Sequence, residues 1–381
     1  MKRMNVLIVG SGIAGLTLAN LLEQQNIDVT ICEKSEICEE HCYTIGIWPF
    51  GSRVLKGIDL YEKFEHISIP IYRFRIKSES NTTFGSFNMR SILKGHDPLR
   101  MVKKCDLLKM LVHNLKTTKI LRPMQVVSMR QTVKKVNVKF SNSTEDAYDL
   151  VVGCDGIQSQ VREMTFEETK FNYTNWSGWG WGVNKDYDIT DTITEYWAKG
   201  KFIAYFPSKE GTFFFACLPD KDIPADPSEH NAEFFRKHFT QLNPMLDQML
   251  GEFELAQNIT HYKLLDINQR RWHKGRVALL GDSCVSILPI SNKGASTAME
   301  SASILADELS RVGSFDVEYA LNLYYKRHHK RLKSIQDDAR KSSGWMFISG
   351  KFKSMNRHLR HALNSGRYFF KNIIELINNS I

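Results

Sequence analysis

The chain has no run of about 18 consecutive apolar residues, so no segment of it is expected to cross a membrane as a helix. It also lacks internal repeats and low-complexity segments, which sets aside solenoid and array architectures. Cysteine is sparse and odd in number. Cys32, Cys38, Cys42, Cys105, Cys154, Cys217 and Cys284 are scattered through 381 residues, several inside strand-like runs, which suits reduced thiols in a cytoplasmic protein rather than a disulfide framework. Cys38, His41 and Cys42 cluster, but their spacing fits no zinc pattern and no second pair follows, so no metal is expected. No nucleic-acid reader motif accompanies the basic residues, and nucleic acid is not an expected partner. Net positive charge is missing from most of the chain. Of a net charge of +9, the segment from Leu321 onward holds 13 Lys/Arg against three acids, leaving the rest close to neutral. Lys2 and Arg3 before an apolar run resemble a leader, but glycine interrupts the run early and Glu23 closes it without a small-residue cleavage site, so it reads as a first strand.

What is present is most specific at the start. Met4 to Val9 is a strand-like apolar run, Gly10-Ser11-Gly12-Ile13-Ala14-Gly15 follows at once, Leu16 to Gln25 has helical spacing, and Asp28 to Cys32 is a second strand closed by Glu33. This is the G-x-G-x-x-G fingerprint in its required context of strand, helix, strand and acid. Gly10 makes the tight turn, Gly12 lets a pyrophosphate approach the backbone, and Gly15 lets helix and strand pack closely, while the helix N-terminus offers unpaired N–H groups to phosphate. Glu33 can take the hydroxyls of an adenosine ribose and repels a 2′-phosphate. The expected ligand is FAD or NAD. An ordinary glycine-rich βαβ turn explains the glycines but not Glu33.

At 42% hydrophobic residues the chain can bury a large core, in two lobes or in one domain with an inserted sheet. Residues 66 to 87 alternate in the manner of antiparallel strands, Asp106 to Leu115 is a short helix, and Val126 to Phe140 alternates again. Asp149 to Cys154 is a buried parallel-type strand ending in Asp155-Gly156. Residues 171 to 218 carry aromatics on short alternating runs, an antiparallel sheet that offers a hydrophobic pocket. Most of its aromatics are expected to be core, with Trp181, Tyr196, Tyr205 and Phe215 as the candidate pocket residues. Ala232 to Leu255 is helical, Gly275 to Asp282 is a strand ending in glycine and acid, Lys293 to Ser310 is a helix, and 317 to 343 form a longer basic helix.

Taken in order, three stretches give the chain its resemblance to the single-component FAD-dependent monooxygenases of the p-hydroxybenzoate hydroxylase fold, nearest to salicylate-hydroxylase-like members. They are Gly10 to Gly15 with Glu33, Asp155-Gly156 within Asp149 to Arg162, and Gly281-Asp282 with Pro289 and Gly294. The resemblance implies an α/β fold: a Rossmann-type FAD-binding domain made of 1–70, 100–165 and 270–340, an inserted mixed or antiparallel substrate domain of 71–99 and 166–269, and a basic helical segment 341–381. It assigns to FAD the residues Gly10, Gly12, Ala14, Gly15, Glu33, Lys34, Lys104, Val126, Asp155, Gly156, Asp282, Pro289, Gly294 and Ala295. No second G-x-G-x-x-G occurs, so NAD(P)H is implied to visit as a transient reductant. The implied reaction is hydroxylation or epoxidation of an aromatic or polycyclic small molecule with O2, through a flavin C4a-hydroperoxide and without a side-chain nucleophile.

The chain departs from the family pattern at three places. Lys104-Cys105-Asp106-Leu107 stands where Arg-x-x-Leu is usual, Gly281-Asp282-Ser283-Cys284-Val285 replaces Gly-Asp-Ala-Ala-His, and Asn292-Lys293-Gly294 replaces Gly-Gln-Gly. Lys293 is therefore either a tuner of the flavin near its N1–C2=O edge or a solvated residue at a helix start. Three other functions stay open on the sequence. A flavin-dependent halogenase is suggested by Trp179-Gly180-Trp181, a non-catalytic flavin-binding module by the Asn292-Lys293 substitutions, and a lipid-directed oxidoreductase by the basic, apolar tail from Lys351 to Ile377, which is either a peripheral membrane contact or a helix packed on the body. A monomer or homodimer is expected.

Overall fold

The computed structural model describes residues 3–36, 42–166, 169–185, 187, 189–226, 230–240, 242, 244–251, 257–313, 316–347 and 374–378. The chain opens with β1 (Asn5–Val9), α1 (Ile13–Gln24) and β2 (Asp28–Cys32), then β3 (Thr44–Ile47), α2 (Pro49–Gly57), α3 (Tyr61–Ile67) and β4 (Ser68–Ile71). After β5 (Arg73–Lys77), β6 (Thr83–Asn88) and a short α4 (Met89–Ile92) come β7 (Leu99–Lys103) and α5 (Lys104–Asn114). The middle holds β8 (Lys119–Leu121), β9 (Val126–Gln131), β10 (Val136–Phe140), β11 (Glu145–Tyr148), β12 (Leu150–Gly153) and α6 (Gln160–Thr165). There follow β13 (Phe171–Val183), β14 (Thr192–Ala198), β15 (Lys201–Ser208), β16 (Gly211–Pro219), α7 (Ala232–Phe239), α8 (Pro244–Gly251) and β17 (Gln257–Ile267). The last elements are β18 (His273–Lys274), β19 (Val277–Leu279), α9 (Gly294–Ser310) and α10 (Val317–Met346).

A six-stranded sheet in the order β18-β19-β12-β1-β2-β8 forms the base. Its inner strands are parallel, with Val9 opposite Gly153 on one side and Cys32 on the other, and β19 continues the set with Leu279 opposite Gly153. These strands are short apolar runs, buried because α1 packs on β1 and β2, α6 on β12 and β19, and β11 against β1, the condition under which parallel strands stay apolar throughout. All three signature motifs begin where these strands end.

The aromatic stretch builds a seven-stranded sheet in the order β17-β13-β16-β15-β14-β5-β6. It is mixed, because β5 joins β14 in parallel while the other pairs are antiparallel. Alternation splits it into two buried faces. Trp179, Trp181, Tyr196, Ile203, Tyr205 and Phe214 pack with Phe235, Phe239, Leu246 and Leu250 of α7 and α8 in a separate core. Ile193, Trp197, Phe202, Ala204, Phe213 and Cys217 face the main core.

A three-stranded sheet, β3-β7-β4, lies between them. Its β3–β7 register sets Thr44 opposite Lys103, and just beyond that pair Cys42 and Cys105 are joined by a disulfide with their Cα atoms 5.2 Å apart. The expectation of reduced thiols throughout is corrected at this pair. It fails because residues 63 positions apart in sequence are brought together by strand pairing that no local pattern announces. Cys32, Cys154, Cys217 and Cys284 are buried free thiols. Cys38 and His41 lie outside the described residues.

The basic helix α10 spends much of its charge inward. Arg331 Nε lies 2.7 Å from Glu300 Oε2, Arg327 pairs with Asp307 and Glu308, and Arg340 reaches Asp266 at 2.6 Å. Of the proposed membrane-facing tail, residues 351–373 lie outside the described residues. Leu376 and Ile377 are buried against the body, with Arg331 Nη2 donating to the Leu376 carbonyl at 2.7 Å and Arg53 Nη1 to that of Ile377 at 3.1 Å. No helix among the described residues is long and apolar enough to cross a membrane.

Candidate functional site

The site begins at the glycine turn after β1. Gly10 sits at φ +107°, and a Cβ there would stand 2.4 Å from the Cys154 carbonyl oxygen, so only glycine lets the ends of β1 and β12 touch. A Cβ on Gly15 would fall 2.1 Å from the Gly10 carbonyl oxygen, which is why α1 can pack onto its own turn. Gly12, the residue before α1, has no heavy atom within 4 Å of its missing Cβ. The helix has neither a side-chain cap nor an acid in its first turn. Unpaired N–H groups and the positive end of the helix dipole therefore face open space, as an anion-binding terminus requires.

Glu33 is held beside this turn. Its Oε2 accepts from Ser11 N at 2.7 Å and Ser11 Oγ at 2.9 Å, and its Oε1 from Ser35 N at 2.9 Å. Burial alone would raise its pKa, but these hydrogen bonds and the charge of Arg122 outweigh burial and leave the carboxyl below the ordinary glutamate value. Arg122 also donates to Ser11 Oγ at 2.9 Å. No local sequence signal marks this arginine, because its place next to Glu33 depends on β8 pairing with β2. Lys34 is exposed. Val126 is a core residue, so any contact it makes with a ligand falls to its backbone.

The second turn follows β12. Asp155 Oδ1 accepts from Ser159 Oγ at 2.5 Å and Oδ2 from Val161 N at 3.0 Å, which caps the start of α6 and leaves Gly156 at φ +79° with open space around it. Burial raises the Asp155 carboxyl above its usual range against those hydrogen bonds. Arg162, almost fully buried, donates to the Ile157 carbonyl at 2.6 Å and the Ser283 carbonyl at 2.9 Å. It ties the second turn to the third. The sequence assigns Arg162 no role, because that role lies in a partner 121 residues away.

The third turn follows β19. Ser283 Oγ donates to the Gly153 carbonyl at 2.6 Å, and a Cβ on Gly281, at φ +68°, would press to 2.9 Å from Ala14 Cβ on α1. Asp282 is accessible to solvent yet surrounded by protein, which pushes its carboxyl up to about 6, while the nearby Lys104 ammonium pulls it down. Pro289 opens a single 3-10 turn that places Asn292 in the left-handed region at φ +50° and starts α9 at Gly294. Gly294 has nothing within 4 Å of a missing Cβ, and α9 has no side-chain cap. Beside it, Gly46 of β3 packs so closely that a Cβ would stand 3.2 Å from Asn292 Cβ. Ala295, half-buried, continues the bare helix start. Lys293 is buried, and its Nζ donates to Asp338 Oδ2 of α10 at 2.5 Å. The solvated alternative for this lysine is thus set aside.

A cleft opens between the segment that leads into α9, the helix α10 and the seven-stranded sheet, lined by Trp48, Phe74, Leu99, Ile193, Glu195, Ile290, Ser291, Asn292, Lys293, Asp338, Ser342 and Met346. Three of the four aromatic pocket candidates are placed elsewhere. Trp181, Tyr196 and Tyr205 belong to the core under α7 and α8, on the opposite face from Glu195, because residues 194 and 196 of β14 point away from the face that 193 and 195 share. Phe215 alone is on the cleft side, half-buried against Tyr262 with ring centroids 6.2 Å apart. No cluster of potential metal ligands occurs among the described residues.

Two bare helix starts, an acid at the second strand end and open space beside the backbone at Gly12, Gly156 and Gly294 fit a dinucleotide-flavin. The match to the family described as "FAD binding domain" extends over residues 3–339. Among curated proteins, the chain is 28% identical over 373 residues to the FAD-dependent monooxygenase ausM of Penicillium brasilianum, covering 89% of this chain and 78% of that one. It is 25% identical over 315 residues to a flavin-dependent monooxygenase from an unknown prokaryotic organism, covering 80% of each. In fold it is similar to Klebsiella pneumoniae HpxO complexed with FAD and uric acid, with a TM-score of 0.88 at 21% identity over 99% of this chain and 97% of that one. A salicylate hydroxylase substrate complex gives a TM-score of 0.79 at 17% identity over 98% of both chains. The chain belongs to the FAD-binding-domain family and is an FAD-dependent monooxygenase of the aromatic-hydroxylase fold.

Proposed function

We propose that the protein uses NAD(P)H and O2 to insert one oxygen atom into an aromatic or polycyclic small molecule held in the cleft between the FAD-binding turns and the seven-stranded sheet. The observation that carries this reading is the meeting of the three strand-end turns at one edge of the parallel sheet, where an open α/β fold binds its ligand. Bound FAD would supply the oxidising chemistry, accepting hydride from NAD(P)H and activating O2 at its C4a position.

The protein's own residues do the rest. Gly10, Gly12, Ala14 and Gly15 present the start of α1 to the pyrophosphate, Glu33 and Arg122 frame the ribose, and Asp282 with Lys104 holds the ribityl region. The start of α9 at Gly294 and Ala295 aims its dipole at the flavin pyrimidine, where negative charge gathers on reduction. The apolar walls of Trp48, Phe74, Leu99, Ile193 and Ile290 keep water from the reacting centre. We assign 1–70, 100–165 and 270–340 to cofactor binding, and 71–99 with 166–269 to the substrate.

The test is to mix the FAD-loaded protein anaerobically with NADH and with NADPH in the presence of candidate substrates. Bleaching of the flavin's visible absorbance, followed by substrate-stimulated reoxidation on admitting O2, is the expected result. A flavin that neither nucleotide reduces under any condition would overturn the reading in favour of a flavin-binding module.

A further inference from the structure

Glu195 is an acidic residue in the middle of an apolar strand, on the cleft-facing side of β14 and only 4% exposed. The indole N–H of Trp197 donates to its Oε2 at 2.7 Å. Among the described residues no group is hydrogen-bonded to its Oε1. A buried carboxyl with one oxygen fixed and the other turned to a cleft is costly unless something in that cleft completes it. The opposite wall does not supply the missing charge. Lys293, the one cation among the described lining residues, is already paired with Asp338. The remaining titratable neighbour is the buried thiol of Cys217 on the same face of the sheet.

We propose that Glu195 is the specificity residue of this cleft, selecting a neutral, largely apolar substrate that presents a hydroxyl or carbonyl oxygen to Oε1 and turning away aromatic carboxylates. A carboxylate ligand would give up its hydration in this largely apolar cleft and find its one described cation, Lys293, already committed to Asp338. A neutral oxygen atom meets a donor. Burial pushes the Glu195 carboxyl up to about 8 against the Trp197 hydrogen bond, so it is mostly protonated near neutral pH and can donate to a carbonyl. This inference rests on the cleft being the substrate site of the proposed monooxygenase, but it concerns binding and can be tested without turnover.

The experiment is calorimetric titration of the full-length, FAD-loaded protein with a matched bicyclic pair, 1-tetralone and 1-naphthoate. The wild type is expected to bind the ketone at least about tenfold more tightly than the carboxylate at neutral pH, the worth of one good hydrogen bond. Ketone binding weakens as the pH rises through about 8. Glu195→Leu loses about tenfold for the ketone. Glu195→Gln keeps an N–H donor in the same shape, so it binds the ketone within about threefold of wild type and loses the pH dependence. Equal or tighter binding of 1-naphthoate, no binding of 1-tetralone, or a Glu195→Leu variant that binds the ketone like the wild type would each overturn the proposal. Selective ketone binding by a protein that oxygenates nothing would instead count against the monooxygenase reading and leave this one standing.

Discussion

Removing Arg162 tests whether the three turns form one site or merely neighbour one another. Arg162→Met keeps the length and apolar stem of the side chain while deleting both guanidinium hydrogen bonds, to Ile157 O and Ser283 O. Hydrogen bonds from a charged donor contribute about 1.5–3 kcal/mol each, and burying Met in place of a desolvated cation recovers part of that, so the net loss should be about 3 kcal/mol. For 381 residues, the usual unfolding entropy of about 2 cal/mol/K per residue converts this into a fall in Tm of about 4 °C. The same change frees the Gly281 to Ser283 turn from the Asp155-Gly156 turn, so FAD affinity should fall by at least about tenfold. Thermal unfolding of the apoprotein and fluorescence titration with FAD measure the two effects separately. A Tm within about 1 °C of wild type with unchanged FAD affinity would refute the reasoning. A lowered Tm with unchanged affinity would make Arg162 a structural residue only.

Three further outcomes follow from the geometry. Gly12→Ala should leave apoprotein stability within about 0.5 kcal/mol of wild type because its Cβ points into open space, yet abolish tight FAD binding, whereas Gly10→Ala should lose about 2–3 kcal/mol as well, from its positive φ and the 2.4 Å approach to Cys154 O; denaturant unfolding with and without FAD separates them. Glu33 is held below the ordinary glutamate value of 4.5, so the stability it contributes is full above that value and is lost as pH falls through its lowered one; the stability gap between wild type and Glu33→Gln should narrow below about pH 4.5 in acid titrations, and a constant gap would contradict this. The Lys293–Asp338 pair is close to neutral as a unit, so Lys293→Gln should lower the flavin reduction potential and Asp338→Asn should raise it, each by a shift of about 1 kcal/mol per electron, measured by spectroelectrochemistry; shifts of the same sign, or none, would end the tuning role.

The ends of the parallel strands were legible because each announces itself locally: a doubly buried strand is a continuous apolar run, and the turn after it needs glycine where φ is positive or backbones touch. Gly10, Gly156 and Gly281 meet that need at φ +107°, +79° and +68°. The faces of the aromatic sheet were not legible. Alternation separates residues 193 and 195 from 194 and 196 but does not say which set meets the cleft when both faces are buried, and Trp181, Tyr196 and Tyr205 fell on the far side. The one local signal available was Glu195, an acid where β14 is otherwise apolar or hydroxylic. Arg122, Arg162, the Cys42–Cys105 disulfide and the Lys293–Asp338 pair share a different obstacle. Each is defined by a partner far along the chain. Composition drew attention to the basic C-terminal region, while the fold shows where part of that charge goes, into ion pairs from α10 to acids on α9 and β17.

The most direct test of the account is turnover of a responsive substrate under isotopically heavy O2, with mass analysis of the product and assay of peroxide. A monooxygenase with a closed, apolar cleft gives a product carrying one heavy oxygen atom for each NAD(P)H consumed, with little free peroxide. NAD(P)H oxidation that yields only peroxide, or a product whose added oxygen comes from water, would contradict it.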